Sequence, residues 1–508
     1  MEQLMLFDNK GNMFTKAGKA ITKGDMWIKL CALLMVIGIA ILAVGPSAFG
    51  LGSTAWAWLG AAVFGIGVGL CYACRRQFAK GLVFAAFITV LVALIYNWGI
   101  GNVLKLNTLG TVEFAQEIDW TTGKQTVNDY DHSFKILLYG MITLAVLMFA
   151  LVLALNALAT SYRLILVEKA GKRVNNFVQD LRSLLDEKFH LTLLSLPGAG
   201  ILIFTVMPMV VLICIAFTNY NSKHLPPAKL FTWVGFENFA NLLGSVQDSD
   251  FAYAFRSILG WTIIWAVVAS ATCYFGGILL AMLLNSKSTI VPKLWRTLFV
   301  LCIAVPQFAS LMLISRFFGD SGIANTLFKN AGITGILQNL GWIKKDYIPF
   351  LSDPTLAKVM IIIINFWVGV PYQMLSATGI LMNIPTDIQE SAKIDGASGW
   401  VRFWKITMPY YWSVTGPSFI TSIVGNINNF NVIYLLTGTY TTLNMSLAKV
   451  NAKEMDLLIT WLFSLTQGDA ANYAMASVIG LVSFVICAGF TLFSLFYMQR
   501  GGREKAFG

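Results

Sequence analysis

Ten stretches of about twenty predominantly apolar residues, each long enough to cross a bilayer, recur along this 508-residue chain. They run roughly over 30–49, 55–74, 81–100, 136–160, 191–217, 257–284, 297–318, 358–383, 412–437 and 473–498. In hydrocarbon a backbone can satisfy its own N–H and C=O groups only as a helix or a closed barrel. The runs lack the apolar-polar alternation of barrel strands, so an all-α polytopic membrane protein of about ten transmembrane helices is predicted. Only 12% of the residues are charged, against about 25% in a typical soluble domain.

The net charge of +11 is a topology signal, because Lys and Arg accumulate on the cytoplasmic side of a membrane. The basic segments "CRRQFAK", "YRLILVEKAGKRVNNFVQDLRSLLDEKFH" and "NSKSTIVPKLWR" follow the second, fourth and sixth runs, which puts both termini inside. The excess is therefore not read as a nucleic-acid patch. The first run starts near Trp27 behind a Lys-bearing tail without a clear small-residue cleavage site, and it is expected to stay as a helix.

Cys31, Cys71, Cys74, Cys214, Cys273, Cys302 and Cys487 lie in or at the ends of the runs, where they are expected to pack as small apolar residues. Cys71 and Cys74 form a CxxC without a second pair, too little for a metal site. Gly65 and Gly69 form a GxxxG, which would let a neighbouring helix approach closely.

Ion-coupled carriers need ionisable side chains within the bilayer, and these runs are nearly free of them, with Arg316 and Lys358 near run ends. A phosphate-binding signature is missing too. Gly18-Lys19, Gly123-Lys124 and Gly171-Lys172 are followed by Ala20, Gln125 and Arg173 rather than Ser or Thr. Any active transport must draw its energy from another subunit.

Between the eighth and ninth runs lies "IPTDIQESAKIDGASGWVRFWKITMPYYW", a cytoplasmic loop that reads as two short helices. Thr386 and Gln389 have capping-box spacing after Pro385, Asp395-Gly396 is a turn or C-cap signal, and Trp400, Phe403 and Trp404 lie along a second helix running toward Pro409. Such an elbow suits the docking of another protein.

This loop resembles the EAA loop of ABC-importer permeases: Glu390-Ser391-Ala392, three residues, Gly396, nine residues, then Ile406-Thr407-Met408-Pro409. Ser391 and Met408 are mild departures from the family's Ala and Leu. Residues 191–498 are similar to the larger membrane subunit of maltose importers (MalF-type), through "FTNYNSKHLPPAKLFTWVGFENFANLL", "LSDPTLAKVMIIIINFWVGVPYQM" and "NINNFNVIYLLTGT". The resemblance implies a six-helix type I importer core at 191–498 with its coupling loop at 385–409. Flanking it are a tail (1–29), four additional helices (30–160), a linker (161–190) and a second tail (499–508).

An uncharged, hydroxyl-rich sugar needs amide donors and acceptors and aromatic faces rather than acids or bases. Asn426, Asn428, Asn429 and Phe430 in the ninth run, with Asn365, Trp367 and Tyr372 in the eighth, supply them. The alternative is that these amides join helices to one another. By resemblance, Asn365, Val368, Gly369, Tyr372, Asn426 and Asn429 fall on sugar-contacting positions, and Gly425 replaces a stacking Phe. The family's Tyr-Ala-Val-Pro-Ser in the seventh run is here Ile303-Ala304-Val305-Pro306-Gln307, so Gln307 brings an amide where a hydroxyl stood.

The resemblance further implies a bacterial cytoplasmic membrane, a second, smaller permease subunit, two copies of a cytoplasmic ATPase and an extracytoplasmic solute-binding protein. ATP and Mg would be bound by the ATPase, so this chain is expected to hold no cofactor or metal and to catalyse nothing. Glu390, Ser391, Ala392, Asp395, Gly396 and Pro409 would carry the coupling. The segment at 218–256 is short where the enterobacterial maltose subunit has a large folded insertion. A rival permease for another polar solute would show charged residues in its pocket, and a secondary transporter an intramembrane acid or His.

Overall fold

The computed structural model describes residues 18, 21–22, 24–49, 54–118, 125–171, 173–244, 250–286, 289–438, 440–468 and 471–505. Among them, nine helices are long and apolar enough to cross a membrane. They match nine of the ten apolar runs. The tenth run, 297–318, is not one helix but two, Pro292–Ala304 and Gln307–Phe317, meeting at 92°. The cause is local: Pro306 lacks an N–H and forces Val305 out of the helical region, to φ −79° and ψ 128°.

The chain divides into two compact units, residues 1–214 with 223–233, and residues 215–222 with 234–508. The division falls within the fifth span, Phe189–Ala216. In the first unit the helices Met26–Phe49, Thr54–Ala73, Phe78–Leu104 and Ser133–Lys169 enclose a core that includes Ile28, Phe64, Val68, Ile88 and Leu158. The GxxxG glycines do what their spacing predicts. A Cβ on Gly65 would lie 2.2 Å from Thr89 Oγ1, and one on Gly69 would lie 2.7 Å from both Ala85 Cβ and the Gly81 carbonyl. Cys31 and Cys71 are buried in the same core, and all seven cysteines are free.

Polar clasps close both ends of this unit. At one end Arg75 pairs with Asp25 and, at 3.4 Å, with Glu168, while Lys80 pairs with Asp180 of the short helix Phe177–Leu185 at 2.5 Å. At the other end the backbone N–H groups of Thr111 and Val112 donate to Asp131, which also pairs with Lys105. A short antiparallel strand pair, Gln116–Ile118 with Gln125–Val127, stands beside that clasp. The segment 223–233 belongs to this unit through bonds from the Phe231 N–H to Ser133 Oγ and from Trp233 Nε1 to the Leu106 carbonyl.

The second unit is built on the close pair Asp250–Asn285 and Pro354–Leu381. A Cβ on Gly277 would lie 2.4 Å from Gln373 Cβ, so only glycine permits this approach. Tyr274 Oη meets Thr415 Oγ1 at 2.7 Å and ties the sixth span to the ninth. The ninth run departs from expectation as well. It ends as a helix at Ile427 and restarts at Phe430, with Asn429 capping the second piece, Phe430–Thr437.

Between the ninth and tenth spans the chain folds back over the helix Leu458–Leu465, whose Trp461 is fully buried and donates from Nε1 to the Val450 carbonyl. Asp456 is buried there and accepts bonds from Thr460 Oγ1 at 2.9 Å and the Lys453 N–H at 2.8 Å.

Two outcomes follow from this packing. Gly69→Leu forces the second and third spans apart and destabilises the chain by about 1–3 kcal/mol, read as a lower Tm of the detergent-purified protein; an unchanged Tm would contradict the close approach. Burial raises the Asp456 carboxyl to about 6, against an ordinary 3.8. The folded chain then holds this proton more tightly than the unfolded one. Stability therefore falls as pH rises from about 4 to 6, by on the order of 3 kcal/mol, and the deficit persists above that window. Asp456→Asn should flatten the dependence of Tm on pH across this range.

Candidate functional site: an amide pair at a helix break and a two-helix elbow

The ninth span breaks where two asparagines meet. Asn429 Oδ1 accepts from the Val432 N–H at 3.3 Å, the bond of a helix N-cap, and its Nδ2 donates to Asn426 Oδ1 at 3.2 Å. Asn426 Nδ2 in turn donates to Ser270 Oγ at 2.8 Å, and Trp265 Nε1 donates to the Asn426 carbonyl at 3.1 Å. Their spacing of three would put Asn426 and Asn429 on one face of a continuous helix, but here they meet across a break. The break leaves a chain of uncharged donors and acceptors, with Asn426 and Asn429 half-buried on the ninth span and Trp265 and Ser270 buried on the sixth. Gly425, beside it, faces open space: a Cβ there would meet nothing within 4 Å.

The eighth span starts at a strong cap, with Asp353 Oδ1 accepting from the N–H groups of Thr355 and Leu356 and Pro354 as its first residue. Asn365, Val368, Gly369 and Tyr372 recur at helical spacing along it, yet their surroundings differ. Asn365 is buried against the sixth span, with Nδ2 3.5 Å from Cys273 Sγ. Gly369 is pressed against the same sulfur, 2.6 Å from where its Cβ would be. Val368 is half-buried, while Tyr372 and Trp367 are exposed. Gln307 opens the second half of the broken seventh span, half-buried, and makes no hydrogen bond to the other site residues among the described residues.

Ser270, Trp265 and Cys273 were not singled out from the sequence. Their signal was small and polar residues at spacings of three and four, Ser270, Cys273 and Gly277, on one stripe of the sixth span. No cluster of His, Cys, Asp and Glu fit to hold a metal occurs among the described residues.

The loop after the eighth span is the expected elbow. Its first helix, Thr386–Ile394, ends in a Schellman motif: the Ala397 N–H donates to the Ala392 carbonyl at 2.9 Å and the Gly396 N–H to the Lys393 carbonyl at 3.0 Å. Gly396 sits at φ +76°, a conformation that penalises any side chain, so the glycine is required by the turn. The predicted capping box does not form. Pro385 takes the cap position, Thr386 Oγ1 turns to Asp387, and Gln389 reaches across to Thr407 Oγ1 at 3.5 Å. That last contact ties the first helix to the base of the ninth span.

The second helix, Gly399–Arg402, is capped by Ser398 Oγ and runs through a wide turn at Phe403–Thr407 into Met408–Ile427, with Pro409 in its first turn. Glu390, Ser391 and Asp395 are exposed and Ala392 half-buried. Ile394 and Trp400 are 87% and 71% exposed, an apolar surface on a polar loop. Exposed apolar side chains between charges make a docking surface for a protein.

The family model described as "Binding-protein-dependent transport system inner membrane component" matches residues 273–500, which hold both the amide pair and the elbow. The chain is 31% identical over 440 residues to a maltodextrin transport system permease of Bacillus subtilis (strain 168), covering 86% of this chain and 95% of that one. It is 29% identical to a galactooligosaccharides transport system permease of the same organism, covering 87% and 97%. To a MalF-type maltose/maltodextrin permease of Klebsiella aerogenes it is 29% identical over 286 residues, covering 54% and 51%. With the first of these matched almost end to end and the family model spanning the amide pair and the elbow, this chain belongs to the binding-protein-dependent transport permeases, the inner-membrane transport subunits of ABC importers, which are not themselves enzymes.

Proposed function

We propose that the chain is the larger of two permease subunits of an importer for a neutral oligosaccharide, with maltodextrins as its substrates. The observation that carries this reading is the amide relay Ser270–Asn426–Asn429 at the break of the ninth span. It offers hydrogen-bond donors and acceptors without a charge, the chemistry that sugar hydroxyls require. Tyr372 and Trp367 are exposed on the eighth span and would lend aromatic faces, and Gly425 leaves room for a sugar ring. The two relatives named for maltodextrin or maltose support the substrate class, and the relative named for galactooligosaccharides defines its competitor.

In this reading a second, smaller permease subunit completes the pore in the bacterial cytoplasmic membrane, with both termini of this chain inside. A solute-binding protein delivers the sugar from outside. Two copies of a cytoplasmic ATPase bind ATP and Mg and seat the elbow at Glu390 and Gly396. When the ATPase dimer closes, the Schellman turn and the Gln389–Thr407 contact pass the movement to the ninth span. The amide relay lies on that span, so the motion of the elbow and the opening of the sugar site would be one movement.

Asn426→Ala and Asn429→Ala should each abolish maltodextrin uptake while leaving complex assembly intact. A buried amide left unpaired costs about 1–3 kcal/mol, roughly tenfold or more in affinity. Normal uptake in both single variants, or uptake of galactooligosaccharide in preference to maltodextrin by the parent importer, overturns the assignment.

Glu390→Lys should weaken co-purification of the ATPase. Gly396→Val should be worse than Gly396→Ala, because branching at Cβ adds to the strain of a positive φ. Full ATPase binding together with full sugar-stimulated ATP hydrolysis in Glu390→Lys and Gly396→Val would remove the elbow from the coupling path.

A further inference from the structure

At the end of the ninth span farthest from the elbow, the chain between the ninth and tenth spans forms an open cavity of about 730 Å³. Its volume is that of a ligand site. Aromatic rings form one wall: Tyr434 and Phe463 lie 5.4 Å apart at 84°, and Tyr434 stacks on Phe430 at 4.8 Å. The opposite lining is polar and uncharged, with Thr441, Asn451 and Gln467. The side chains of Thr441 and Asn451 have no hydrogen-bond partner among the described residues. The one cation in the lining, Lys453, is committed elsewhere. Its Nζ donates to the carbonyls of Thr437 and Gly438 at 3.3 and 3.2 Å and caps the helix end. Beside the cavity Glu454 accepts from Thr442 Oγ1 at 2.6 Å through Oε1, while its Oε2 is buried without a hydrogen-bond partner among the described residues.

Aromatic faces beside free hydroxyl and amide groups fit a carbohydrate better than a hydrocarbon chain. The cavity's position specifies which part of a carbohydrate. Asn429 caps the start of the helix Phe430–Thr437, and Gly438, which follows its end, lines the cavity. Tyr434 stands about 7.5 Å along the helix from Asn429 and the helix end about 12 Å, so a short sugar held at Asn426 and Asn429 reaches no farther than Tyr434 while a longer one extends into the cavity.

We infer that this cavity is a second carbohydrate subsite, which holds the outer portion of a long oligosaccharide whose leading portion lies at the Asn426–Asn429 pair. The inference rests on the sugar-importer reading above. It makes the chain selective for chain length: a disaccharide is held at the amide pair, and a long maltodextrin gains additional contacts at Thr441 and Gln467.

The test measures uptake of maltose and of a long linear maltodextrin by the whole importer in lipid vesicles, with its binding protein present. Ala448 lines the cavity and is exposed, so Ala448→Trp fills the space. Its kcat/KM for the long maltodextrin should fall about tenfold or more, a loss of roughly 1.4 kcal/mol in binding, with maltose uptake within about twofold of the parent. Gln467→Leu and Thr441→Val, at exposed positions, should shift the same ratio in the same direction by a smaller factor, and they carry the test should Ala448→Trp fail to assemble.

Equal effects on both sugars overturn the subsite, whether both are unchanged or both are lost. Equal loss accompanied by loss of binding-protein-stimulated ATP hydrolysis assigns the cavity to docking of the binding protein instead. Asn429→Ala is the separate control. If it imports both sugars normally, the sugar-importer reading fails, whatever the cavity variants do.

Discussion

Every backbone N–H and C=O in the hydrocarbon layer must find a partner inside the protein, and the places where this chain interrupts a helix show how it meets that demand. At the break of the ninth span the freed groups are taken up by side chains drawn from several elements. Trp265 Nε1 of the sixth span reaches the Asn426 carbonyl, and Asn429 Oδ1 receives the Val432 N–H. Ser315 Oγ of the seventh span reaches the Leu436 carbonyl, and Lys453 caps the last carbonyls of the helix. A helix interrupted inside a membrane is costly unless such partners surround it. Once surrounded, it presents side-chain amides where an intact helix would have bonded only to itself. The candidate sugar site is the product of that exchange.

The same demand explains how movement could travel. A span continuous with the elbow begins at Met408, stiffened at its base by the Gln389–Thr407 contact, and ends at the amide pair. The elbow itself is fixed by backbone geometry, since the Schellman turn at Gly396 sets the angle between its two short helices. What the elbow offers outward is different in kind: the exposed Ile394 and Trp400 beside charged residues, a surface whose burial awaits another protein. Rigid backbone within and sticky side chains without is the arrangement that a driven lever requires.

Two features of the sequence translated directly into structure because they act locally. Apolar runs must become helices in lipid, and Gly396 must end a helix, since Asp395-Gly396 supplies both the C-cap and the positive φ. Gly65 and Gly69 also read correctly, because a missing Cβ invites a close neighbour whichever helix that neighbour is. Gln389 read wrongly. Its spacing from Thr386 fits a capping box, but Pro385 occupies the cap and the carboxamide found a better acceptor eighteen positions later, at Thr407.

The sequence by itself determined the solvent, most of the spans and the elbow, since each rests on composition, periodicity or fixed spacing within a short window, and it carried the family through a resemblance that runs along the core. Only the tertiary structure decided what the asparagines do. Asn365 is turned against Cys273 while Asn426 and Asn429 join in a relay with Ser270, although all three had the same claim on a sugar from sequence alone. It also decided that the seventh run bends by 92° and that the chain after the ninth span lines an open cavity. The physical reason is that a side-chain amide bonds to whatever lies within about 3 Å of it, and for Asn365 and Asn426 that neighbour comes from the sixth span, 92 and 156 residues away.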